Sequence, residues 1–301
     1  MAAEQRPLFS FGCIADAQYA DLEDGDTEGR SQLYRQVPGK LRAALAELRA
    51  ARPRVQLVLH LGDIVNGNAA GQAQCDREFD LVASIFDQEL GGDVPALHVV
   101  GNHCLSVPRE VLVKRLGIPE TCYYSRSLGS GWRLVVLDTT EMSGHSGHAP
   151  GSRQHREAQE FLASHPMSDE DPQMSSWNGG ITRQQLAWLR SELAAAEAAA
   201  ERVIIASHHQ LGQGGARATH MAWNWRDVQQ VVLLASPAFR LALAGHDHMG
   251  GCACINGRHF VTLEALLEAP PGSNAFAVLH VFGDRIRIAG SGSVTSRELA
   301  V

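Results

Sequence analysis

The feature that most constrains this chain is an apolar run at residues 55–61 that stops abruptly at Gly62 and Asp63. A short run rich in Val and Leu and closed by Gly is typical of a buried strand in a largely parallel sheet. Ligand sites in open α/β sheets lie beyond the carboxyl ends of the strands. We therefore expect Asp63 to lie at the edge of the sheet where chemistry takes place.

Four further apolar runs end in the same way, in side chains that can bind a metal or transfer a proton. These runs are residues 9–15, 96–100, 203–207 and 241–244. The residues that follow them are, in chain order, Asp16 and Gln18, Asn102 and His103, His208 and His209, and His246 and His248. Because the carboxyl ends of parallel strands share one edge, the sequence predicts that these side chains gather there.

The order of elements indicates an α/β protein. In the first half of the chain, strands alternate with apolar stripes at helical spacing, which is typical of right-handed βαβ units. One stripe covers residues 41–48, where Pro38 and Gly39 are expected to break the chain before the helix begins. The closing third reads as strand after short strand. We predict one domain over residues 1–301, a four-layer α/β/β/α sandwich of two packed mixed sheets flanked by helices.

The segment 139–180 changes character, since Gly, Ser, His and Pro dominate and only residues 153–163 follow a helical pattern. Loops this long inside compact domains are usually functional or disordered. Because the segment follows a strand of the same sheet, we expect a flap or insertion over the active site. Just beyond it, Thr182 and Gln185 form a capping box that predicts the start of a helix.

The amino-acid composition and net charge limit which molecules the protein can be expected to bind. The 301 residues are 45% hydrophobic, which suits a globular protein with a sizeable core. The net charge of -7 and a pI near 6.0 disfavour broad binding to nucleic acid or anionic membranes. No apolar stretch is long enough to span a membrane and the N-terminus lacks a signal-peptide pattern, so a cytoplasmic location is expected.

Taken together and in order, the strand-end motifs resemble the calcineurin-like metallophosphoesterase superfamily over about residues 9–248. The motifs are Asp16, Gly62-Asp63, Gly101-Asn102-His103, His208 and Gly245-His246-Asp247-His248. The resemblance implies two divalent cations about 3.5–4 Å apart, joined by a bridging carboxylate. It assigns the bridge to Asp63. Asp16, Gln18 and His248 would complete one metal position, and Asn102, His208 and His246 the other. His103 would be the proton donor or transition-state stabiliser.

Further residues narrow the resemblance to the manganese-dependent ADP-ribose/CDP-alcohol diphosphatases. They lie at residues 9–12, 14–18, 21–25, 178–180, 222–227 and 263–276. That resemblance implies hydrolysis of the pyrophosphate bond of ADP-ribose, CDP-choline and related nucleoside diphosphate derivatives, by attack of a metal-bound hydroxide. Gln18 agrees with this narrower family, although the superfamily usually has His there. The resemblance also suggests a set of substrate contacts: Asn66, Cys104, Asn178, Gly179, Asn224, Trp225 and Phe276.

Gln18 also bears on the choice of metal. A carboxamide oxygen is a harder ligand than an imidazole nitrogen, so we expect Mn²⁺ to be preferred, with Mg²⁺, Fe, Zn or Co as open alternatives. The expected partners are small nucleotide substrates, with no nucleic acid and no membrane, and we expect a monomer. Two other functions stay open: a different calcineurin-like phosphodiesterase, for example one acting on cyclic nucleotides, and a non-catalytic interaction module on the same fold.

Overall fold

Short apolar runs form the strands of the protein, and apolar residues at helical spacing form its helices. The computed structural model describes residues 6–27, 29–67, 71–145 and 147–301. The strands are β1 (Phe9–Ile14), β2 (Gly25–Thr27), β3 (Arg30–Gln32), β4 (Val58–His60), β5 (Ala96–His98), β6 (Tyr124–Gly129), β7 (Trp132–Val136), β8 (Met142–Ser143), β9 (Gly179–Gly180), β10 (Arg202–Ala206), β11 (Phe239–Ala244), β12 (Gly251–Ile255), β13 (Arg258–Thr262), β14 (Ala275–Val281), β15 (Arg285–Gly292) and β16 (Arg297–Ala300).

The helices include those predicted near residues 41–48, near residues 153–163 and after Thr182. They are α1 (Val37–Ala50), α2 (Gln72–Leu90), α3 (Arg109–Leu116), α4 (Arg153–Ser164), α5 (Arg183–Ala198) and the short α6 (Trp225–Asp227). Helix α6 continues into a π-helical stretch, Val228–Leu233. Within the described ranges, no helix combines the length and the apolar character needed to cross a membrane.

Two six-stranded mixed sheets form the centre of the fold. Sheet one has the strand order β16-β15-β14-β1-β4-β5 and sheet two the order β12-β13-β11-β10-β7-β6. In sheet one, β4 runs parallel to both β1 and β5. In sheet two, β10 runs parallel to both β7 and β11. The strands that end in the predicted site residues are therefore neighbours with a common direction.

Three apolar clusters divide the fold into four layers. Side chains such as Phe11, Leu134 and Leu279 pack between the two sheets. A second cluster joins sheet one to α1, α2 and α3, and a third joins sheet two to α5 and the helical stretch after Asn224. Apolar faces buried on both sides of each sheet are what a four-layer sandwich requires. The predicted fold class is confirmed, and the assignment of one domain stays a prediction.

Helix boundaries show one correct and one wrong prediction. The Thr182 side chain accepts a hydrogen bond from the Gln185 backbone N–H at 3.2 Å, so the predicted cap of α5 is present. The expected break at Pro38 and Gly39 is wrong, because α1 already begins at Val37. Proline is tolerated in the first turn of a helix, where its missing N–H has no intrahelical acceptor anyway.

Two histidines are buried in the apolar layer between sheet one and α2. His60 is fully buried, its ring centre lies 5.5 Å from that of Phe86, and neither ring nitrogen has a partner among the described residues. The ring centre of His98 lies 4.9 Å from that of Phe86. Burial lowers the pKa of His60 well below its ordinary value and the pKa of His98 to about 4. Both rings are therefore neutral in the folded protein at neutral pH.

We predict that these histidines weaken the fold in acid. Below about pH 6.5 the unfolded chain protonates both rings, whereas the folded chain does not. The free energy of unfolding should therefore fall as pH drops from about 6.5 to about 4, by up to about 1.4 kcal/mol per pH unit for each ring. Urea unfolding of metal-free protein between pH 7 and pH 5 measures this slope.

His60→Leu isolates one of the two contributions. The variant should be at least as stable as wild type at pH 7, because it removes a buried polar ring that has no partner. Its pH slope should be smaller by about 1.4 kcal/mol per pH unit. Replacing the exposed His165 by Leu is the control and should leave the slope unchanged. Equal slopes for wild type and His60→Leu would contradict this explanation.

Candidate metal centre and active site

The predicted site residues meet where the carboxyl ends of the two sheets face each other. Asp16, Asp63 and His208 follow β1, β4 and β10, and all three side chains are fully buried. Ligand atoms of these three residues lie within 4.8 Å of one another, close enough to share one cation. His208 belongs to sheet two, yet its Nδ1 lies 2.9 Å from the Leu61 carbonyl oxygen of sheet one. The site thus joins the two sheets.

The hydrogen bonds around His208 leave room for a cation. Its Nδ1 must donate to Leu61, because a carbonyl oxygen only accepts. In a neutral ring, Nε2 then carries a lone pair and faces Asp63 Oδ2 at 3.1 Å and Asn102 Oδ1 at 2.9 Å. Three lone pairs that converge in this way require either a proton on His208 or a cation between them. The residues present therefore fit a bound divalent metal.

The charges of the site also favour a cation. Burial raises the pKa of Asp16 to about 6, against the opposing effect of His248. Burial alone would raise the pKa of Asp63, but His208 and His103 hold it below its usual range. Burial alone would lower the pKa of His208, yet the Asp63 and Asp16 carboxylates raise it to about 9. The Asp16 and Asp63 carboxylates stabilise a proton on His208, and the same negative potential would attract a metal ion.

Asp63 lies between residues that the resemblance assigns to the two metal positions. Its Oδ2 lies 3.2 Å from the Gln18 amide and 3.1 Å from His208 Nε2, and those two residues were assigned to different metal positions. The other oxygen, Oδ1, accepts the His103 backbone N–H at 2.9 Å. Gln18 presents its amide nitrogen here, and rotation about its last torsion would present the oxygen that a metal requires.

His248 lies on the Gln18 side of Asp63. Its Nε2 is 3.7 Å from Asp16 Oδ1, and its Nδ1 is 2.8 Å from Glu268 Oε1. Metal-bound histidines commonly donate their second N–H to a carboxylate in this way. Glu268 thus fixes the ring so that Nε2 faces Asp16. The sequence analysis gave no role to Glu268, which lies in the loop between β13 and β14.

The backbone at the centre is strained. Asp16, Gln18, Asp63 and His246 have positive φ angles of 51°, 43°, 55° and 69°. For residues other than Gly, such a conformation costs roughly 1–2 kcal/mol. The glycines of the motifs allow close packing there, since a Cβ on Gly101 would lie 2.1 Å from Asp63 Oδ1 and one on Gly245 would lie 2.5 Å from Asp16 Oδ2. Four strained residues at one site indicate that the geometry serves a function.

His246 and His209 lie on the His208 side of Asp63. The His246 backbone N–H lies 3.1 Å from both Asp16 carboxylate oxygens, and its Nε2 lies 2.7 Å from Asn178 Oδ1. His209 is fully buried and its ligand atom lies within 4.8 Å of those of His208 and His246. The paired histidines were visible in the sequence, but only His208 was given a role there.

His103 lies beside the centre without entering it. Its Nδ1 lies 2.6 Å from the Asn66 carbonyl oxygen, which can only accept, so this nitrogen carries a proton. The side chain lines both lobes of an open cleft next to the carboxylates. With one nitrogen held by Asn66, the ring has Nε2 left for substrate.

The two lobes share Asn66, Asn102, His103 and Trp177 in their walls. The larger lobe has a volume of about 350 Å³ and is completed by Gly67, Leu105, Ser106, Ser143, His145 and Ser176. The other, here called the basic lobe, has a volume of about 310 Å³ and is completed by Gln18, Arg30, Gln32, Tyr34, Arg217, His220, His246, His248 and Glu268. Two lobes on either side of His103 suit a substrate with a group on each side of its scissile bond.

The suggested substrate contacts are only partly supported. Asn66 lines both lobes, whereas Asn178 lies behind His246, and Gly179 pairs with Ser143 between β9 and β8. Cys104 and Phe276 are buried in the apolar layer beside α1 and α2. The Asn224 amide bonds the backbone of Ile181, and Trp225 is buried beneath Arg226. A substrate contact for Cys104, Asn224, Trp225 or Phe276 is therefore not supported, because none of the four reaches the cleft.

The segment 139–180 is ordered and contributes to the cleft. It contains β8, α4 and β9, with helix α4 close to the predicted residues 153–163. Its own apolar cluster includes Met142, Ala158 and Met174, packed against Trp223. Trp177 from this segment forms part of both lobes, and its side chain is 39% exposed. That large exposed surface is available to a bound molecule.

The fold and the convergent carboxylates and imidazoles define the metallophosphoesterase class. The sequence model of the calcineurin-like phosphoesterase family matches residues 9–250, and the chain belongs to this family. A crystal structure of a dimetal phosphatase from Danio rerio superimposes with a TM-score of 0.88 at 32% identity, covering 98% of this chain and 99% of that one.

Curated relatives narrow the assignment. A manganese-dependent ADP-ribose/CDP-alcohol diphosphatase from Oryza sativa subsp. japonica is 33% identical, over 99% of this chain and 96% of the relative. Proteins of the same name from Danio rerio and Homo sapiens are 34% and 31% identical, over 96% of this chain and 97% and 92% of their own lengths. Within the family, the chain thus belongs with the manganese-dependent ADP-ribose/CDP-alcohol diphosphatases, as the sequence motifs predicted.

We predict that His103→Ala keeps its metals and slows the chemical step. Loss of an acid or of electrostatic help to the transition state should lower kcat by about 10²–10⁴-fold. Metal content by mass spectrometry and single-turnover kinetics separate the two effects. Leu105→Ala, in the cleft wall two residues away, is the control for local packing. If His103→Ala loses metal instead, His103 is a ligand.

Proposed function

We propose that this chain hydrolyses the phosphoric anhydride bond of nucleoside diphosphate derivatives such as ADP-ribose and CDP-choline. The observation that supports it most is Asp63, whose Oδ2 faces one ligand of each proposed metal position. The printed names of the relatives give the substrate class, and the intact ligand set argues against a non-catalytic module. Two divalent ions are proposed, with Mn²⁺ favoured.

Two cations held by this site would lower the pKa of a water molecule and neutralise charge on the phosphoryl group. The ligand side chains would hold the two ions: Asp63 between them, Asp16, Gln18 and His248 on one side, and Asn102, His208 and His246 on the other. Backbone hydrogen bonds to the Asp16 and Asp63 carboxylates fix their orientation. A rigid set of ligands of this kind needs little rearrangement during the reaction.

His103 is proposed to act on the oxygens of the scissile bond. Asn66 holds its Nδ1–H, so that a proton on Nε2 can be donated to a phosphoryl oxygen or to the departing phosphate. In the basic lobe, Arg30 and Arg217 present guanidinium groups that can bind the phosphates, although each is also paired with a carboxylate, Glu268 at 3.2 Å and Asp247 at 2.8 Å. The leaving group is itself a phosphate monoester, so stabilisation of charge matters more than a strong acid.

The direct test is a substrate panel with Mn²⁺ and with Mg²⁺. We expect kcat/KM for ADP-ribose or CDP-choline to exceed that for cyclic AMP by at least about tenfold, with Mn²⁺ more effective than Mg²⁺. The products should be AMP with ribose phosphate, or CMP with phosphocholine. Preference for cyclic AMP would instead make the chain a cyclic-nucleotide phosphodiesterase, and equal rates with Mg²⁺ would contradict the proposed metal preference.

Trp177 is proposed to bind the nucleotide part of the substrate, because an exposed indole in the cleft wall can stack on a base. Trp177→Ala should raise KM for ADP-ribose about tenfold or more and leave a small aryl phosphodiester nearly unaffected. Met167→Ala, at an exposed position of the same segment, is the control. Equal changes for both substrates would contradict a role in nucleotide binding.

Localisation and assembly remain predictions. The net charge of -7 argues against nucleic acid as a partner. A cytoplasmic location and a monomeric state are proposed. Light scattering of the purified protein tests the oligomeric state.

A further inference from the structure

Three imidazole rings converge on the His208 side of the centre. The ring centres of His208 and His246 are 4.9 Å apart, those of His208 and His209 are 5.1 Å apart, and those of His209 and His246 are 4.2 Å apart. An imidazole bound to a metal has its ring centre about 3.2 Å from the ion, so rings on one ion have centres at most about 6.4 Å apart. All three separations meet that limit.

His209 is held as a metal ligand would be. Its Nδ1 lies 2.9 Å from Thr139 Oγ1, and the side chain is fully buried. Its Nε2 has no hydrogen-bond partner of ordinary geometry among the described residues, although the Trp177 backbone lies close to the ring. A buried nitrogen with no partner is costly unless something else satisfies it. Since Nδ1 is engaged by Thr139, Nε2 is the atom available to the centre.

The other two rings share this arrangement. His208 is held at Nδ1 by the Leu61 carbonyl, and His246 is held at Nε2 by Asn178. Each of the three imidazoles thus has one nitrogen anchored by an outer hydrogen bond and the other left for the interior. Such outer hydrogen bonds orient the rings of metal-bound histidines.

We propose that His209 supplies a third imidazole to the metal position of His208 and His246, so that the two positions of the centre prefer different ions. The inference rests on the proposed dinuclear centre. The His209 side would offer three nitrogens with the oxygens of Asp63 and Asn102. The Gln18 side would offer one nitrogen, from His248, with the oxygens of Gln18, Asp16 and Asp63.

This difference in donors has a definite consequence for the metals. Imidazole ligands suit Zn²⁺ and Fe²⁺, whereas carboxylate, carbonyl and water ligands suit Mn²⁺. A nitrogen-preferring ion should therefore occupy the His209 side while Mn²⁺ occupies the Gln18 side. In a mixture of metals the protein should assemble a mixed centre.

Zinc affinity of the metal-free protein tests the role of His209. Competition with a chromophoric chelator should show that His209→Leu binds its tightest Zn²⁺ at least about tenfold more weakly than wild type. His209→Gln, which retains a polar side chain with an oxygen donor, should fall between the two. Circular dichroism confirms that the variants are folded. Unchanged zinc affinity in both His209 variants would overturn the inference.

His220→Leu is the matched control. Its ring centre lies 5.4 Å from that of His246, much like the proposed ligands. Both of its nitrogens are already engaged, however, at 3.0 Å from Arg217 Nη2 and 2.8 Å from Thr219 Oγ1. The control should keep the zinc affinity of wild type within about twofold. A loss equal to that of His209→Leu would overturn the specific role of His209.

Electron paramagnetic resonance gives a second readout that is independent of activity. Wild type loaded with one equivalent each of Zn²⁺ and Mn²⁺ should show the six-line spectrum of isolated Mn²⁺. His209→Leu should show exchange-coupled manganese pairs in the same mixture, because Mn²⁺ then competes for both positions. Coupled pairs in wild type would overturn the mixed centre. Uptake of fewer than two ions by wild type would instead refute the dinuclear centre on which the inference rests.

Discussion

The site depends on one buried carboxylate, that of Asp63, which contacts residues on both sides of the centre. One oxygen faces Gln18 and His208, and the other is held by the His103 backbone N–H. A buried carboxylate is expensive unless it is paired and hydrogen-bonded. Its environment therefore has to supply donors or cations, and this requirement explains why amide, imidazole and backbone groups converge on it.

The same requirement shapes the backbone around it. Asp63 itself has a positive φ, and Gly101 has no side chain, which leaves room for its carboxylate. Contacts from His208 to Leu61 and from His246 to Asp16 join the carboxyl edges of the two sheets. The sandwich holds these strained residues in place because large apolar layers on both sides of each sheet stabilise it. Fold stability and site geometry are thus coupled at one edge.

The fold class and most of the proposed metal ligands could be predicted from the sequence. The reason is that ligand sites in α/β proteins lie beyond the carboxyl ends of the strands. The apolar runs predict that Asp16, Asp63, Asn102, His208 and His246 lie at one edge. Glu268 could not be found in this way, since it reaches His248 from a loop 20 residues further along the chain. Trp177 was equally hidden, because its place in the cleft depends on how the segment 139–180 folds back.

One wrong expectation, and several substrate contacts that the structure does not support, have simple physical causes. A break at Pro38 is the expectation that is wrong, because the first turn of a helix accepts proline. Phe276 and Trp225 were named from a resemblance in local sequence, which carries no information on the direction of a side chain. Cys104 follows the site residue His103 directly, and its side chain is buried in the apolar layer beneath. Residues that are adjacent in the sequence, such as His103 and Cys104, can therefore lie one at the site and the other in the apolar core.

The central claim is that Asp63 bridges two metal ions, and Asp63→Asn tests it most directly, since the amide has nearly the same shape but bridges cations poorly. Metal content by mass spectrometry and turnover of ADP-ribose should be measured on the same folded sample. We expect a drop from two bound ions to one or fewer and a loss of turnover of at least about 10²-fold. Two bound ions with near-normal turnover would contradict the claim.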